Sequence, residues 1–159
     1  MNKCNRVLTL TCLSLSSIAI SIQPVNASGA AVTPPKTNCY IKIDDPHFSE
    51  YFRRNKAISA VKINASSKCG KPISNLTLWV EIYKTGKYFD HEVAKSKFTK
   101  FGNIRPNQVI RNQKTYVECL NSKETDYYGV AYAEATISGK VRSTPHVYSA
   151  KTFTFACGT

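Results

Sequence analysis

The chain has 159 residues, with 22 Lys and Arg against 10 Asp and Glu and a formal net charge of +12. Once a leader is set aside, that length excludes two domains with separate cores. No later stretch is long and apolar enough to span a membrane as a helix, so a soluble, strongly basic domain is expected.

Residues 1–27 have Lys3 and Arg6 as a short basic head, then an apolar, hydroxyl-rich stretch, then Val25-Asn26-Ala27 as a small-residue cleavage site. This is the layout of a secretory signal peptide. Its loss removes Cys4, Cys12 and two cations, lowering the net charge from +12 to +10. Residues 28–38, SGAAVTPPKTN, follow as an extended, flexible arm without apolar period.

Four cysteines then remain, Cys39, Cys69, Cys119 and Cys157. In an exported chain they read as two disulfides, whereas gaps of tens of residues and the lack of a C-x-x-C pair speak against zinc. Three pairings are open. Cys39 with Cys69 and Cys119 with Cys157 is preferred, because each pair joins sequence-near strands and closes a moderate loop.

From Cys39 to Thr159 the apolar residues alternate. Cys39, Ile41 and Ile43 share a face, as do Val61 and Ile63, and as do Leu76, Leu78, Val80 and Ile82 opposite Thr77, Trp79, Glu81 and Tyr83. Later runs, TYVECL, YGVAYAEATI and HVYSAKTFTFAC, repeat the pattern, and Val147, Phe153, Phe155 and Cys157 are expected on one side. KTGK, NSKETD, SGK and STP between them carry turn residues. No sustained helical period exists, so helix is expected to be nearly absent. The expectation is an all-β, antiparallel, immunoglobulin-like β-sandwich of about seven or eight strands with two disulfides, over residues 39–159. In that frame Tyr128 would be the corner tyrosine before strand F and Trp79 a core tryptophan. Val130 would stand where an inter-sheet cysteine is usual, so the bridges should tie strands near the domain's ends.

CYIKIDDPHFS, then KCGKPISNLTLWVEIYKTG, VECLNSKETDYYGVAYAEATI and a terminal FTFACGT resemble the small secreted four-cysteine proteins of actinobacteria. The resemblance covers nearly all of the chain after the leader. It implies fold and export and almost no chemistry.

Four stretches invite a functional reading. Asp44, Asp45 and His47 offer oxygen and nitrogen for a cation, but without calcium spacing or HExxH they read first as a turn in which Pro46 sets the reversal. Asp90, His91 and Glu92 are strand neighbours whose side chains alternate between faces, which speaks against an acid–base trio. Without G-x-S-x-G, a phosphate loop or a spare cysteine nucleophile, a non-enzyme with no cofactor and no metal is expected. Asn64 and Asn75 begin Asn-x-Ser/Thr triplets that read as polar turn or strand positions.

The cations point furthest. Lys95, Lys97 and Lys100 lie among Phe98 and Phe101, and Phe52, Arg53 and Arg54 sit in the loop after the first strand. In strand register Lys95, Lys97, Thr99 and Phe101 share a face, a basic row suited to a polyanion. The plainer alternative is an edge strand guarded by lysines. The expected function is that of a secreted, non-enzymatic module binding an extracellular macromolecular partner. Its rival is a cationic effector that binds anionic surface or wall polymers, with no specific nucleic acid among the partners.

Overall fold

A computed structural model describes residues 39–159; the expected leader, 1–27, and arm, 28–38, lie outside the described residues. Ten strands form two sheets, and every pairing between them is antiparallel.

In the first sheet, β3 (Ala60–Cys69) is central. One edge of it pairs with β1 (Cys39–Ile43) and β2 (His47–Phe48) in succession, the other with β6 (Ile110–Glu118). The second sheet runs β10 (Phe153–Gly158), β7 (Asn121–Ile137), β4 (Ile73–Lys84), β5 (His91–Ile104). The short β8 (Lys140–Ser143) and β9 (Val147–Tyr148) continue along the edge of β7 that β10 occupies further down. Between β7 and β8, Ser138 and Gly139 both have positive φ, 50° and 74°. Two such residues between paired Ile137 and Lys140 make the tight hairpin turn whose twist matches the strands.

The alternating apolar residues meet between the sheets. Ile41, Ile43, Val61 and Ile63 from the first face Leu76, Leu78, Val80, Ile82, Ala131 and Ala133 from the second in one buried cluster. Large side chains on one sheet oppose small ones on β7. A Cβ at Gly129 would come within 2.6 Å of the Ile63 Cδ1 and 2.9 Å of the Ile43 Cδ1, so glycine is there to let the sheets close. At the β5–β6 side the gap is bridged by polar groups: the Ser96 hydroxyl bonds to Thr115 at 2.6 Å, and the Asn112 amide donates to the Leu78 carbonyl at 3.2 Å.

Both disulfides pair as preferred. Cys39–Cys69 joins directly opposed residues of β1 and β3, with Cα atoms 3.9 Å apart. Cys119–Cys157 ties the end of β6 in one sheet to β10 in the other. The staple between sheets therefore lies at the domain's end.

Four positions differ from expectation. Residues 50–56 are not loop but a short helix, α1 (Glu50–Lys56), with Glu50 in its first turn and Arg53, Arg54 and Lys56 in its last, where each complements the helix dipole. Only Phe52 of this helix is buried, so no apolar period marked it. The buried tyrosine is Tyr127, not Tyr128: its hydroxyl donates to the Cys157 carbonyl, a partner 30 residues downstream. Trp79 faces outward, because it alternates with the buried Leu78 and Val80. Val130, opposite Glu81 and Tyr148, is likewise on the outer side of β7 and outside the inter-sheet cluster.

Candidate functional site

Each sheet has an outer face, and the two differ in chemistry. The outer face of the second sheet is built in rows by strand register. Lys97, Trp79 and Tyr132 form one row; Lys95, Glu81 and Val130 the next, with Tyr148 beyond; and Glu92, Tyr83 and Tyr128 a third. Aromatic rings on adjacent strands stack across these rows. Trp79 and Tyr132 are 5.9 Å apart and 13° from parallel, Tyr132 and His146 4.5 Å, and Tyr83 and Tyr128 5.4 Å. Rings with centroids that close stand against one another, each covering one face of its partner. Lysines close the stack, with the Lys95 and Lys97 ammonium groups each 5.3 Å from the Trp79 ring centre.

At the middle of this face Glu81 is only 4% exposed. It pairs with the Lys95 ammonium at 2.5 Å and accepts the Tyr83 hydroxyl at 3.1 Å. The Lys95 ammonium is held protonated above its ordinary range, chiefly by the bond to Glu81. Partial burial, and then Glu81, push the Tyr83 phenol up to about 12. Tyr128 is raised as well, by burial and by its 3.0 Å bond to Asp90. Asp90 also accepts the Gly86 amide, and Glu92 lies 3.8 Å from Lys95, so the acids of this stretch are tied into the face rather than gathered around His91.

The basic row thus exists in register, with Lys95, Lys97, Thr99 and Phe101 opposite Glu81, Trp79, Thr77 and Asn75. Of its two lysines, only Lys95 meets a carboxylate among the described residues. Lys95 has two carboxylates and two rings, and Lys97 has one ring. Lys100 is opposite the inward-facing Leu76, on the other side of the strand. Phe101 stands 74% exposed at the end of the row. In the other cluster Phe52 is buried on Tyr116 at 4.1 Å, and Arg53 and Arg54 both pair with Glu50. The structure does not bring the two clusters to one surface row. Asp45 and His47 make local bonds: the Asp45 carboxylate accepts the Lys151 amide, and His47 Nδ1 lies 3.0 Å from the Asp45 carbonyl.

The outer face of the first sheet carries unspent charge. Lys42, Ser66 and Arg111 lie in one register row across β1, β3 and β6, and Tyr40 faces Lys68 in the row beside it. These residues, with Asp44, Asn64, Val109 and Gln113, line a groove of about 540 Å³. Among the described residues, the ion pairs include none that involves Lys42, Lys68 or Arg111. Three cations therefore face one carboxylate. Asn64 adds a second kind of group: its Oδ1 is buried and has no donor. It occupies an irregularity in the β3–β6 pairing, between Ile63 and Ala65. Asn64 and Asn75 both lie in strands, β3 and β4.

The alternation of each strand marks Lys42, Lys68 and Arg111 as outward residues, but they are 26 and 43 positions apart along the chain. Only the pairing of β1 with β3 and of β3 with β6 unites them. Tyr132, His146 and Glu81 likewise come together only in the fold, from β7, from the segment before β9 and from β4. Compared with known proteins, the chain matches no family model, no curated protein and no solved structure.

Proposed function

We propose that this chain is a secreted, non-enzymatic binding module that holds an anionic extracellular polymer against the outer face of its first sheet. The observation that carries this reading is the groove with Lys42, Lys68 and Arg111 around it, unpaired among the described residues. A guanidinium and two ammonium groups without carboxylate partners attract anions over a Debye length of about 8 Å at physiological salt. Arg111 supplies a planar fork for a carboxylate, sulfate or phosphate. Export is supported by the two disulfides, which form and persist in oxidising compartments, and by the leader read from the sequence. An immunoglobulin-like arrangement is supported by the strand order, with β1-β3-β6 facing β10-β7-β4 in the way the A-B-E and G-F-C strands of that sandwich do.

Retention of the full chain on immobilised heparin, measured across a salt series, tests the groove. Changing Lys42, Lys68 and Arg111 together to Gln should abolish retention at physiological salt and flatten the salt dependence, whereas changing Lys95, Lys97 and Lys100 should leave most of it. The opposite ranking would transfer the function to the second sheet. A second reading, a protein partner on that sheet, has its own observation. Phe101 and Val141, 74% and 67% exposed, fall in one row with Asn75 and Thr136 between them.

A further inference from the structure

We infer that one end of the sandwich is a membrane-contact surface: Tyr88, Phe89 and Leu120, held out by the β4–β5 and β6–β7 turns, insert into the headgroup boundary of an anionic phospholipid bilayer. This surface is separate from the groove of the first sheet and does not depend on it.

Exposed apolar side chains scattered singly are ordinary on a protein surface, but these are gathered. Leu120 and Phe89 are 79% exposed and Tyr88 78%, the highest values for large apolar side chains among the described residues. All three lie at one end of the fold. Lys84, the last residue of β4, pairs with Tyr127, so the start of β7 runs past the β4–β5 turn. Gly86 and His91 from that turn and Asn121, next to Leu120, line a common cleft of about 760 Å³. Helix α1 is at the same end, because the Cys119 amide donates to the Ser59 carbonyl just beyond it, and its Tyr51 is 61% exposed.

The β4–β5 turn is built to hold its two rings out. A Cβ at Gly86 would run into the Phe89 carbonyl oxygen, so the backbone folds closely on itself there. Asp90 locks the turn: one carboxylate oxygen accepts the Gly86 amide at 3.3 Å and the other the Tyr128 hydroxyl at 3.0 Å. The Thr85 amide donates to the Asp126 carbonyl at 2.9 Å. With the backbone so fixed, inserting Tyr88 and Phe89 costs little further ordering.

The surroundings favour a bilayer over a folded partner. Leu120 is separated from the ring pair by the cleft, whose lining includes Thr85, Asn121, Lys123 and Thr125, so the three side chains do not join into the contiguous apolar core of a protein interface. The fluid boundary of a bilayer accommodates each of them separately. Cations stand beside them: the Lys87 ammonium is 5.3 Å from the Tyr88 ring centre, Arg53 and Arg54 are on α1, and Lys84 and Lys123 line the cleft. Aromatic rings with lysines and arginines around them are the side chains that settle at headgroup level. Glu50, Asp90, Glu118, Glu124 and Asp126 belong to this end too, so its local charge is nearly balanced. The apolar side chains therefore anchor the contact, while the strongly basic chain as a whole is drawn to an anionic surface.

Co-sedimentation of the chain, purified from culture medium, with vesicles of phosphatidylcholine containing about a third phosphatidylglycerol tests this. Binding is expected, and should persist at about 0.5 M NaCl, where attraction between exposed charges is largely screened. Phe89→Ser should weaken it about tenfold, and Tyr88→Ser, Phe89→Ser and Leu120→Ser together about a hundredfold. Because these side chains are so exposed, the triple variant should keep the parent's urea midpoint and its retention on heparin. Phe89→Trp should add an emission that moves to the blue with vesicles and is quenched by brominated acyl chains. No vesicle binding, a triple variant that sediments like the parent, or binding that vanishes at high salt and on changing Lys42, Lys68 and Arg111 overturns the inference, and in each case the groove reading is judged separately by heparin. A protein partner that the parent captures and the triple variant loses, with vesicles left unbound, would give this end to that partner instead.

Discussion

Glu81 and Lys95 show how a charge pair near the surface becomes structural. Glu81 is nearly fully buried while the Lys95 side chain is 36% exposed, so removing the lysine strands a desolvated carboxylate, whereas removing both charges does not. Lys95→Met is expected to cost about 2 kcal/mol of unfolding free energy, less than the 3–5 of a fully buried pair because one partner is wet. Glu81→Gln with Lys95→Met should recover most of that. Urea titration of the cycle checks it, and additive losses would mean that the two groups act independently. The same cluster predicts an alkaline limit. Tyr83 keeps its proton up to about 12 when folded, whereas an unfolded tyrosine loses it near 10. Above about 10 the unfolded chain therefore binds fewer protons than the native one, and stability falls as pH rises. Lys95, raised in the same direction, contributes fully below the ordinary lysine value and loses its contribution as pH climbs through its folded one. The urea midpoint should drop between pH about 10 and about 12, and Tyr83→Phe should make that drop shallower; an unchanged slope would remove Tyr83 from the account.

Among the elements, β7 and α1 mark two limits of pattern reading. The alternation of β7 was visible from Tyr127 onward, but its inner residues are small, Gly129, Ala131, Ala133 and Ala135. Their size makes sense only against Ile43 and Ile63 across the sandwich. Gly129→Ala is accordingly expected to destabilise, by about 1–3 kcal/mol, even though alanine suits a strand better than glycine elsewhere. A urea midpoint equal to or above that of the parent protein would show that the sheets have room to spare. Helix α1 was illegible because only Phe52 is buried, on Tyr116 of a strand about sixty residues away, and a single contact has no period. In β5 the alternation placed Lys95 and Lys97 on one face, and what they meet there belongs to β4 and β7.

At the scale of the molecule, the two disulfides do different work. Cys39–Cys69 staples neighbouring strands, and Cys119–Cys157 holds sheet to sheet. They span 30 and 38 residues, for which the chain-entropy account gives about 3.5 and about 4 kcal/mol. Replacing Cys119 and Cys157 with Ser should cost about that amount and raise amide exchange in β10 and at the end of β6. Replacing Cys39 and Cys69 should loosen chiefly β1. Uniform exchange changes in both variants would mean that neither bridge acts locally.

By itself the sequence determined that the chain is built of alternating strands closed by two cystines, because a period of two and an even cysteine count act on neighbouring residues and follow from chain order. The choice of pairing followed from short loops, which are the least costly to close. Which lysines are free was decided only by the tertiary structure. Lys95 and Lys97 are conspicuous as a run, yet Lys95 is taken up by Glu81 and Lys97 lies over the Trp79 ring, whereas Lys42, Lys68 and Arg111, scattered among 70 residues and without an ion pair among the described residues, gather at one groove. A charge is spent or available according to what lies across the next strand, about 5 Å away in space and dozens of residues away along the chain.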